Sequence, residues 1–371
     1  MGNMHNLRLQ DVHSKLVVTK KTSSLRRIEN AISERKGKVA LKFIKNNLDE
    51  VYEESLFLSS TDNFDLFKLE EQNYSGIVNL EMANRKRRIN KFFEACNYKL
   101  EDGGIYISSV QTYANRRNAL MQKYFFPLNI IIYFLDAVFH RIFPKVKITQ
   151  KLYFYLTKGR NRLLSRAETF GRLYSCGFEI IAEQEINNEL FFAARKVSKP
   201  AFDLQPTYGP LIRLRRVGKD GKVFKVYKLR TMYPYAEYLQ DYVYKHNQLD
   251  EGGKFKNDFR VSPMGRLFRK FWIDELPMFW NLIKGDMKLI GVRPLSKHYF
   301  NLYTKELQEK RTQTKPGLVP PFYADMPKTL EDIMASELKY LEAYKKAPLS
   351  TDVKYFFLIF RNIFFRGARS K

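Results

Sequence analysis

Cysteine is nearly absent: Cys96 and Cys176 are the only two in 371 residues. A disulfide framework and a thiolate cage for a metal are thereby excluded, and two packed, reduced thiols are expected. The five histidines, His5, His13, His140, His246 and His298, have no ligand spacing, so imidazole metal centres are not expected either. No apolar run reaches the ~20 residues that cross a bilayer. The opening MGNMHNLRLQ lacks an apolar core, so no secretory signal is expected; Asn6 stands where a myristoylation motif needs Ser or Thr. Acidic residues are scarce against basic ones, 39 against 65, for a net charge of +26. Residues 201–371 hold 32 basic and 18 acidic side chains, a net +14, which leaves +12 for 1–200. Charge spread this evenly is a field for polyanions, not a basic tail. Duplex or RNA binding lacks its usual sequences, since no helix-turn-helix, zinc-finger or RNP-type stretch occurs; a nucleic-acid partner is therefore not expected. What the chain has in quantity is apolar and aromatic residues, 44% and 15%, enough for two ordinary domains with real cores.

Residues 1–50 are rich in Lys, Arg and polar side chains and are expected to form helices with charged faces. From 79 to 100 the pattern predicts a helix, followed by a turn at Glu101-Asp102-Gly103-Gly104 and a β-branched strand from Ile105. Tyr124–Phe139 is the most apolar stretch. As a helix it would span about 24 Å at 1.5 Å per residue, short of the ~30 Å hydrocarbon core. Pro127, Asn129 and Asp136 interrupt it, and Lys123, His140 and Arg141 flank it. The flanks favour membrane contact within 124–143, by dipping into one leaflet or lying at the interface, with a buried core helix as the alternative. Ser165 and Glu168 form a capping box for a helix that Cys176-Gly177 ends. Two strands then follow, joined at Ile186-Asn187-Asn188. The turn Leu100-x-Asp102-Gly103-Gly104 and this closing strand pair are similar to the end of a class I methyltransferase-like domain. No glycine-rich cofactor loop precedes them, so 1–200 is read as an accessory α/β region and not a working methyltransferase. Val197–Thr207, with Pro200 and Pro206, reads as a linker, and a second domain is expected over 208–371.

Leu211–Arg230 carries eight basic residues and one acid. Asp220-Gly221 between two strand-like runs is a strong hairpin signal, because both residues tolerate positive φ. The ribbon suits phosphate on one face, or it is simply a solvated basic surface. Asp274-Glu275 precede Leu276-Pro277, where proline suits a first helical turn. Leu276, Phe279, Trp280 and Ile283 then recur with helical spacing, and Lys284-Gly285 provides an end. An acidic pair at a helix start is commonly a cap. Here Arg260, Arg266, Arg269 and Arg293 surround it in sequence, and guanidinium groups offset charge that builds in phosphoryl transfer. One carboxylate then suits attack on phosphorus and the other a hard divalent cation, Mg²⁺ being the natural choice. Such a first-turn carboxylate is expected to be exposed and to matter little to stability.

Several motifs in this stretch, taken in order, resemble the bacterial sugar transferases, the monotopic phosphoglycosyl transferases. They are Gly209-Pro210, Arg216-Val217-Gly218-x-Asp220-Gly221, Lys228-Leu229-Arg230-Thr231-Met232, Asp274-Glu275-Leu276-Pro277, Asn281, Lys284-Gly285-Asp286-Met287 and Arg293-Pro294. The resemblance covers about 208–365. It implies an α/β (α+β) chain whose C-terminal domain is mostly helical with a basic β-hairpin. It further implies attack by Asp274 on the β-phosphate of a UDP-sugar, release of UMP, and transfer of the sugar phosphate to polyprenyl (undecaprenyl) phosphate at the cytoplasmic face of a bacterial inner membrane. Glu275 is implied as the Mg²⁺ ligand, with Asp274 beside it. Lys228, Arg230, Arg260, Arg266, Arg269, Arg293 and Pro294 are the expected phosphate and nucleotide contacts.

The sequence departs from the family pattern at Met278 (usually Gln), at Val292 (usually Pro), and after Lys315-Pro316-Gly317, where Leu318-Val319-Pro320-Pro321 follows. The apolar re-entrant helix that usually precedes the Gly-Pro pair is replaced by the polar 197–208 segment. Tyr124–Phe139 and the apolar Tyr355–Phe365, with Arg361, Arg366 and Arg369 nearby, are the alternative contacts with an anionic membrane surface. A catalytically silent scaffold and a basic nucleic-acid binder are the competing readings. The intact Asp274-Glu275 pair opposes the first and the missing recognition motifs oppose the second.

Overall fold

The structure, a computed structural model, describes residues 17–18, 22–59, 74–160, 162–201, 209–246, 258–327 and 329–366. Most of the expected linker, the domain start at Tyr208, and Arg369 lie outside the described residues. The chain divides into two compact units, Met1–Pro206 with Pro234–Gln240, and Thr207–Tyr233 with Asp241–Lys371.

The first unit is built on a six-stranded sheet in the order β1-β2-β3-β4-β6-β5. The strands are β1 (Val17–Val18), β2 (Leu56–Leu58), β3 (Tyr74–Met82), β4 (Leu100–Val110), β5 (Phe178–Ile186) and β6 (Glu189–Lys196). β2, β3 and β4 run parallel, while β5 and β6 close the edge antiparallel. The helices are α1 (Thr22–Lys36), α2 (Lys38–Leu48), α3 (Ile89–Lys99), α4 (Tyr113–Lys123), α5 (Leu128–Ala137), α6 (Lys147–Thr157) and α7 (Arg166–Ser175).

Alternation along the strands sorts the core into two layers. Val78, Ile107, Phe191 and Ala193 pack with α1 and α2 through Ile32, Ala40 and Ile44. Tyr106 and Phe192 face the other way, and Tyr106 meets Phe93, Phe178 and Phe192 with ring centroids 5.7–5.8 Å apart. Cys96 and Cys176 are free and buried; burial pushes the Cys176 thiol up to about 12 and raises Cys96 as well, so neither is a reactive thiolate.

Two sequence expectations change here. The predicted helix over 79–100 begins only at Ile89, because residues 79–82 complete β3 between two parallel neighbours. The Glu101–Gly104 turn is absorbed into β4 as an irregularity: the register jumps from Tyr74↔Leu100 to Gly76↔Ile105, and Gly103 takes φ +83°, where a side chain is disfavoured. Half of the expected capping box forms: the Ser165 hydroxyl accepts from the Glu168 N–H, while the Glu168 carboxylate accepts from Arg172. The strand pair turns on Asn187 and Asn188, both at positive φ, as a tight right-twisted hairpin requires.

The second unit begins with the basic hairpin, β7 (Leu211–Val217) and β8 (Val223–Leu229), in antiparallel register. Its turn has Asp220 and Gly221 at φ 55° and 71°. Then come α8 (Gln240–His246), α9 (Pro263–Lys270), a 3-10 turn (Ile273–Met278) and α10 (Phe279–Ile283). β9 (Lys288–Ile290) pairs parallel with β10 (Gly317–Val319). The helices α11 (Lys297–Asn301), α12 (Lys305–Thr312), α13 (Phe322–Asp325), α14 (Leu330–Lys346) and α15 (Pro348–Arg366) complete the unit. Tyr340, Tyr355 and Ile359 hold α14 and α15 in one core with Ile290 and Val292. α15 is thus two-faced: Tyr355, Ile359 and Asn362 are buried, while Phe357, Phe364 and Phe365 are exposed. The fold is therefore α/β in the first unit and mainly helical with a basic hairpin in the second. Among the described residues no helix is long and apolar enough to cross a membrane.

Candidate active site

The Asp274-Glu275 pair sits in the 3-10 turn that leads into α10. Trp272 immediately before it has φ +54°, a left-handed conformation that costs a non-glycine residue about 1–2 kcal/mol. That bend sets the turn against β8. Asn281, fully buried at the far side, locks the arrangement. Its Oδ1 accepts from the Tyr227 N–H at 3.2 Å, and its Nδ2 donates to the Lys225 carbonyl at 2.8 Å and to Asp286 Oδ2 at 3.2 Å. Val226, Met278 and Met287 fill the space between. The acid of the Gly-Asp-Met motif therefore serves this clamp.

Asp274 is 9% exposed, which corrects the expectation of an exposed first-turn carboxylate. Burial raises its pKa above the ordinary carboxylate value. Lys228 and Arg269 pull the other way and Glu275 adds to the rise. Lys228 Nζ donates to Glu275 Oε1 at 2.6 Å, with both side chains largely buried. Arg269, on α9, donates from Nε to Thr231 Oγ1 at 3.0 Å. Burial lowers its pKa, and Asp274 and Asp258 oppose that effect. Strand β8 and, much later in the sequence, α9 with the turn that follows it thus bring two carboxylates and two cations together in a partly water-excluded place. A desolvated carboxylate flanked by fixed cations is suited to meet a phosphoryl group, whose charge those cations offset.

Residues 199–366 match the sequence profile described as bacterial sugar transferase. These residues belong to the bacterial sugar transferase family. The chain is similar to a galactosyl transferase, CpsE, of Streptococcus agalactiae, at 41% identity over 113 residues, 30% of this chain and 25% of that protein. It is also similar to an undecaprenyl-phosphate galactose phosphotransferase of Salmonella typhimurium, at 35% identity over 109 residues, 28% of this chain and 23% of that protein. The match thus spans about a quarter of the length of these relatives. A solved S-adenosylmethionine-dependent methyltransferase from Mesorhizobium loti overlaps 35% of this chain and 67% of its own, at 13% identity and a TM-score of 0.22, too slight a likeness to bear on the fold.

Within the sugar transferase region the other expected residues scatter. Arg260 is buried and spends its guanidinium on Asp258, with contacts of 2.8–3.1 Å. Arg230 donates from Nε to the Gly209 carbonyl at 3.0 Å, which ties the hairpin's ends. Arg266 is exposed on α9 and has no ion pair among the described residues. Arg293 is exposed beside buried Pro294; its carbonyl accepts from Arg311 at 2.5 Å, and its charge is felt at both Arg216 and Arg269. The structure therefore pairs Lys228 with Glu275, places Asp274 in the field of Lys228 and Arg269, and places Arg269 in the field of Arg293. Arg260 pairs with Asp258, Arg230 bonds the Gly209 carbonyl, and Pro294 is buried.

Two contributors escaped the sequence reading as site residues. Thr231 orients Arg269, and Arg216 shares a half-buried cationic neighbourhood with Arg293. Both lie in the quoted motifs, which were their only signal. The altered 315–321 loop stands where β10 meets β9, and Gly317 abuts the backbone of Gly291. Buried Val292, in place of the usual proline, contributes to the α14–α15 core.

The helical stripe Leu276, Phe279, Trp280 and Ile283 does not face the core. All four are at least half exposed, as are Phe271 and Met264. The carboxylate pair is thereby rimmed by apolar surface on its own turn.

Proposed function

We propose that this chain transfers a sugar phosphate from a UDP-sugar to polyprenyl phosphate, with Asp274 as the covalent nucleophile, and so starts assembly of a lipid-linked surface glycan. A carboxylate oxygen of Asp274 attacks the β-phosphorus; the bond from that phosphorus to the bridging oxygen breaks, and UMP leaves. A phosphate oxygen of the polyprenyl acceptor then attacks the same phosphorus. The acyl-phosphate bond breaks, the carboxylate is regenerated, and polyprenyl diphosphate sugar departs. Lys228 and Arg269 flank the reacting group and offset the charge that accumulates there. Burial of Asp274 keeps its carboxylate poorly hydrated, which favours attack.

The observation that carries this reading is the junction of a buried carboxylate and its cations with an exposed apolar rim on one turn. A polar donor and a lipid acceptor must meet at one atom, and this turn offers each phase a side. The names of the similar proteins, one of them an undecaprenyl-phosphate galactose phosphotransferase, support the same substrate classes.

Mg²⁺ suits the donor set. Among the described residues no cluster of three or more His, Cys, Asp or Glu gathers. Asp274 and Glu275 still offer two carboxylates, the number this ion commonly takes from protein when substrate phosphates complete its shell. When bound, it would neutralise phosphate charge. Glu275 is engaged by Lys228, so the lysine holds the carboxylate in place and competes for it.

UMP release from a panel of UDP-sugars, with and without polyprenyl phosphate, tests the proposal in wild type and Asp274→Asn. Release by wild type with at least one donor and loss in the variant are expected. Equal release by both proteins removes Asp274 from the mechanism.

A further inference from the structure

The transfer chemistry leaves the most apolar stretch of the chain unused. α5 and α6, joined by a π-helical turn (Val138–Ile142) and a 3-10 turn (Phe143–Lys145), form a helical arm on the first unit. The arm has its own inner spine. Arg116 on α4 donates to Asp136 on α5 at 2.8 and 3.2 Å. The fully buried Tyr153 of α6 packs its ring at a tilt against Phe139, centroids 5.2 Å apart, and its hydroxyl meets His140 Nδ1 at 3.3 Å. With Asp136 and these rings turned inward, the arm leaves many of its aliphatic and aromatic side chains exposed. No residue of α5 is buried. Phe125, Phe126, Ile131, Phe134, Ile148 and Tyr155 are each more than half exposed.

Charge identifies what covers this surface. Residues 113–162 contain ten basic residues and one acid, a net of +9, and that one acid, Asp136, is already paired with Arg116. A second copy of the arm would bring two such fields together, which opposes self-association. A bilayer with anionic headgroups satisfies both features, taking the rings and branched chains below the headgroups and the lysines at them. α6, with 11 residues, is about 16 Å long, too short to cross the ~30 Å hydrocarbon layer, so the arm is confined to one leaflet. We propose that the α5–α6 arm inserts into the interfacial region of one leaflet of an anionic membrane and anchors the first unit there. This inference does not rest on the sugar transfer, and lipid binding reads it independently of activity.

The test uses the full chain. Phe134→Cys and, as a control in the same unit, Ile181→Cys are labelled with an environment-sensitive fluorophore; the native cysteines are buried and stay unlabelled. Both proteins are titrated with phosphatidylglycerol–phosphatidylethanolamine vesicles and with phosphatidylcholine vesicles. A blue shift and loss of iodide quenching at position 134 alone, on anionic vesicles, is the expected result. Lys123→Glu with Lys151→Glu should weaken that response by about thirtyfold or more at low salt, since each basic residue near such a surface is worth roughly 1 kcal/mol and reversal more than removes it. A label at 134 that stays in water while the chain sediments with vesicles overturns the proposal, because another surface then anchors it. Absence of vesicle binding overturns it as well, as does a concentration-dependent shift at 134 without lipid, which assigns the arm to self-association.

Discussion

Replacing Asp274 by Asn should abolish transfer and make the protein more stable, an opposition that follows from the burial of this side chain. Its pKa is raised in the fold, and burial is the largest cause. A carboxyl with a raised folded-state pKa stabilises the fold below its unfolded pKa, where it is protonated. That contribution is lost as pH rises through the folded value. At neutral pH the ionised side chain is therefore a net cost. Asn has nearly the same shape and no charge. Each pKa unit corresponds to about 1.4 kcal/mol, and Lys228 and Arg269 return part of the penalty. Lys228 keeps Glu275 and Arg269 keeps Thr231 when the charge at 274 is removed. The expected gain is then about 1 kcal/mol, or a rise of about 2–4 °C in Tm for a domain of this size. Calorimetry at pH 7.5 and again near pH 3, paired with UMP-release assays, reads both halves. The stability gain should vanish at low pH, and turnover at neutral pH should fall by roughly 10⁴-fold or more, as loss of a nucleophile does. A variant that is less stable than wild type at neutral pH, or that retains turnover, refutes the reasoning.

Other consequences are as direct. The acid limb of the pH–rate profile should lie above the ordinary carboxylate range, since activity needs Asp274 ionised; Lys228→Met should move it higher still, because Lys228 is the strongest influence holding that pKa down. An acid limb unchanged in Lys228→Met contradicts the assigned proximity. The same substitution removes the 2.6 Å partner of Glu275 and should cost about 1–2 kcal/mol in chemical unfolding. Glu275→Gln should raise the Mg²⁺ concentration needed for half-maximal UMP release, and an unaltered titration would reassign the ligand. Gly317→Ala should destabilise the second unit by about 2–3 kcal/mol, since the added carbon would lie 2.1 Å from the Gly291 nitrogen; a neutral effect on Tm would mean that β9 and β10 separate without cost.

The parts of this molecule that could be read from the sequence are those whose cause is local. Asp220-Gly221 and Asn187-Asn188 specify hairpins because their residues accept positive φ. Ser165 with Glu168 specifies a helix start because one hydroxyl meets one N–H three residues on. Residues 79–82 misled, since an isolated run cannot reveal that two parallel strands will flank it. The same divide runs through the site. Asp274-Glu275 was visible as a pair, and the motif order pointed to the family. That Asp274 is buried, that Lys228 meets Glu275, and that Arg260 is consumed by Asp258 while Arg266 stands in solvent depend on how β8, α9 and the 273–278 turn pack. Nor could helical spacing say that Leu276, Phe279, Trp280 and Ile283 face outward, because an apolar stripe reads the same whether protein or lipid covers it.

Intact-protein mass spectrometry after incubation with UDP-sugar, Mg²⁺ and no lipid acceptor tests the central claim most directly. Stoichiometric UMP release and a mass increase equal to one sugar phosphate, mapped by peptide analysis to Asp274 and discharged by adding polyprenyl phosphate, are predicted. An adduct on another residue, or transfer to lipid with strictly no release of UMP before acceptor is added, would contradict it.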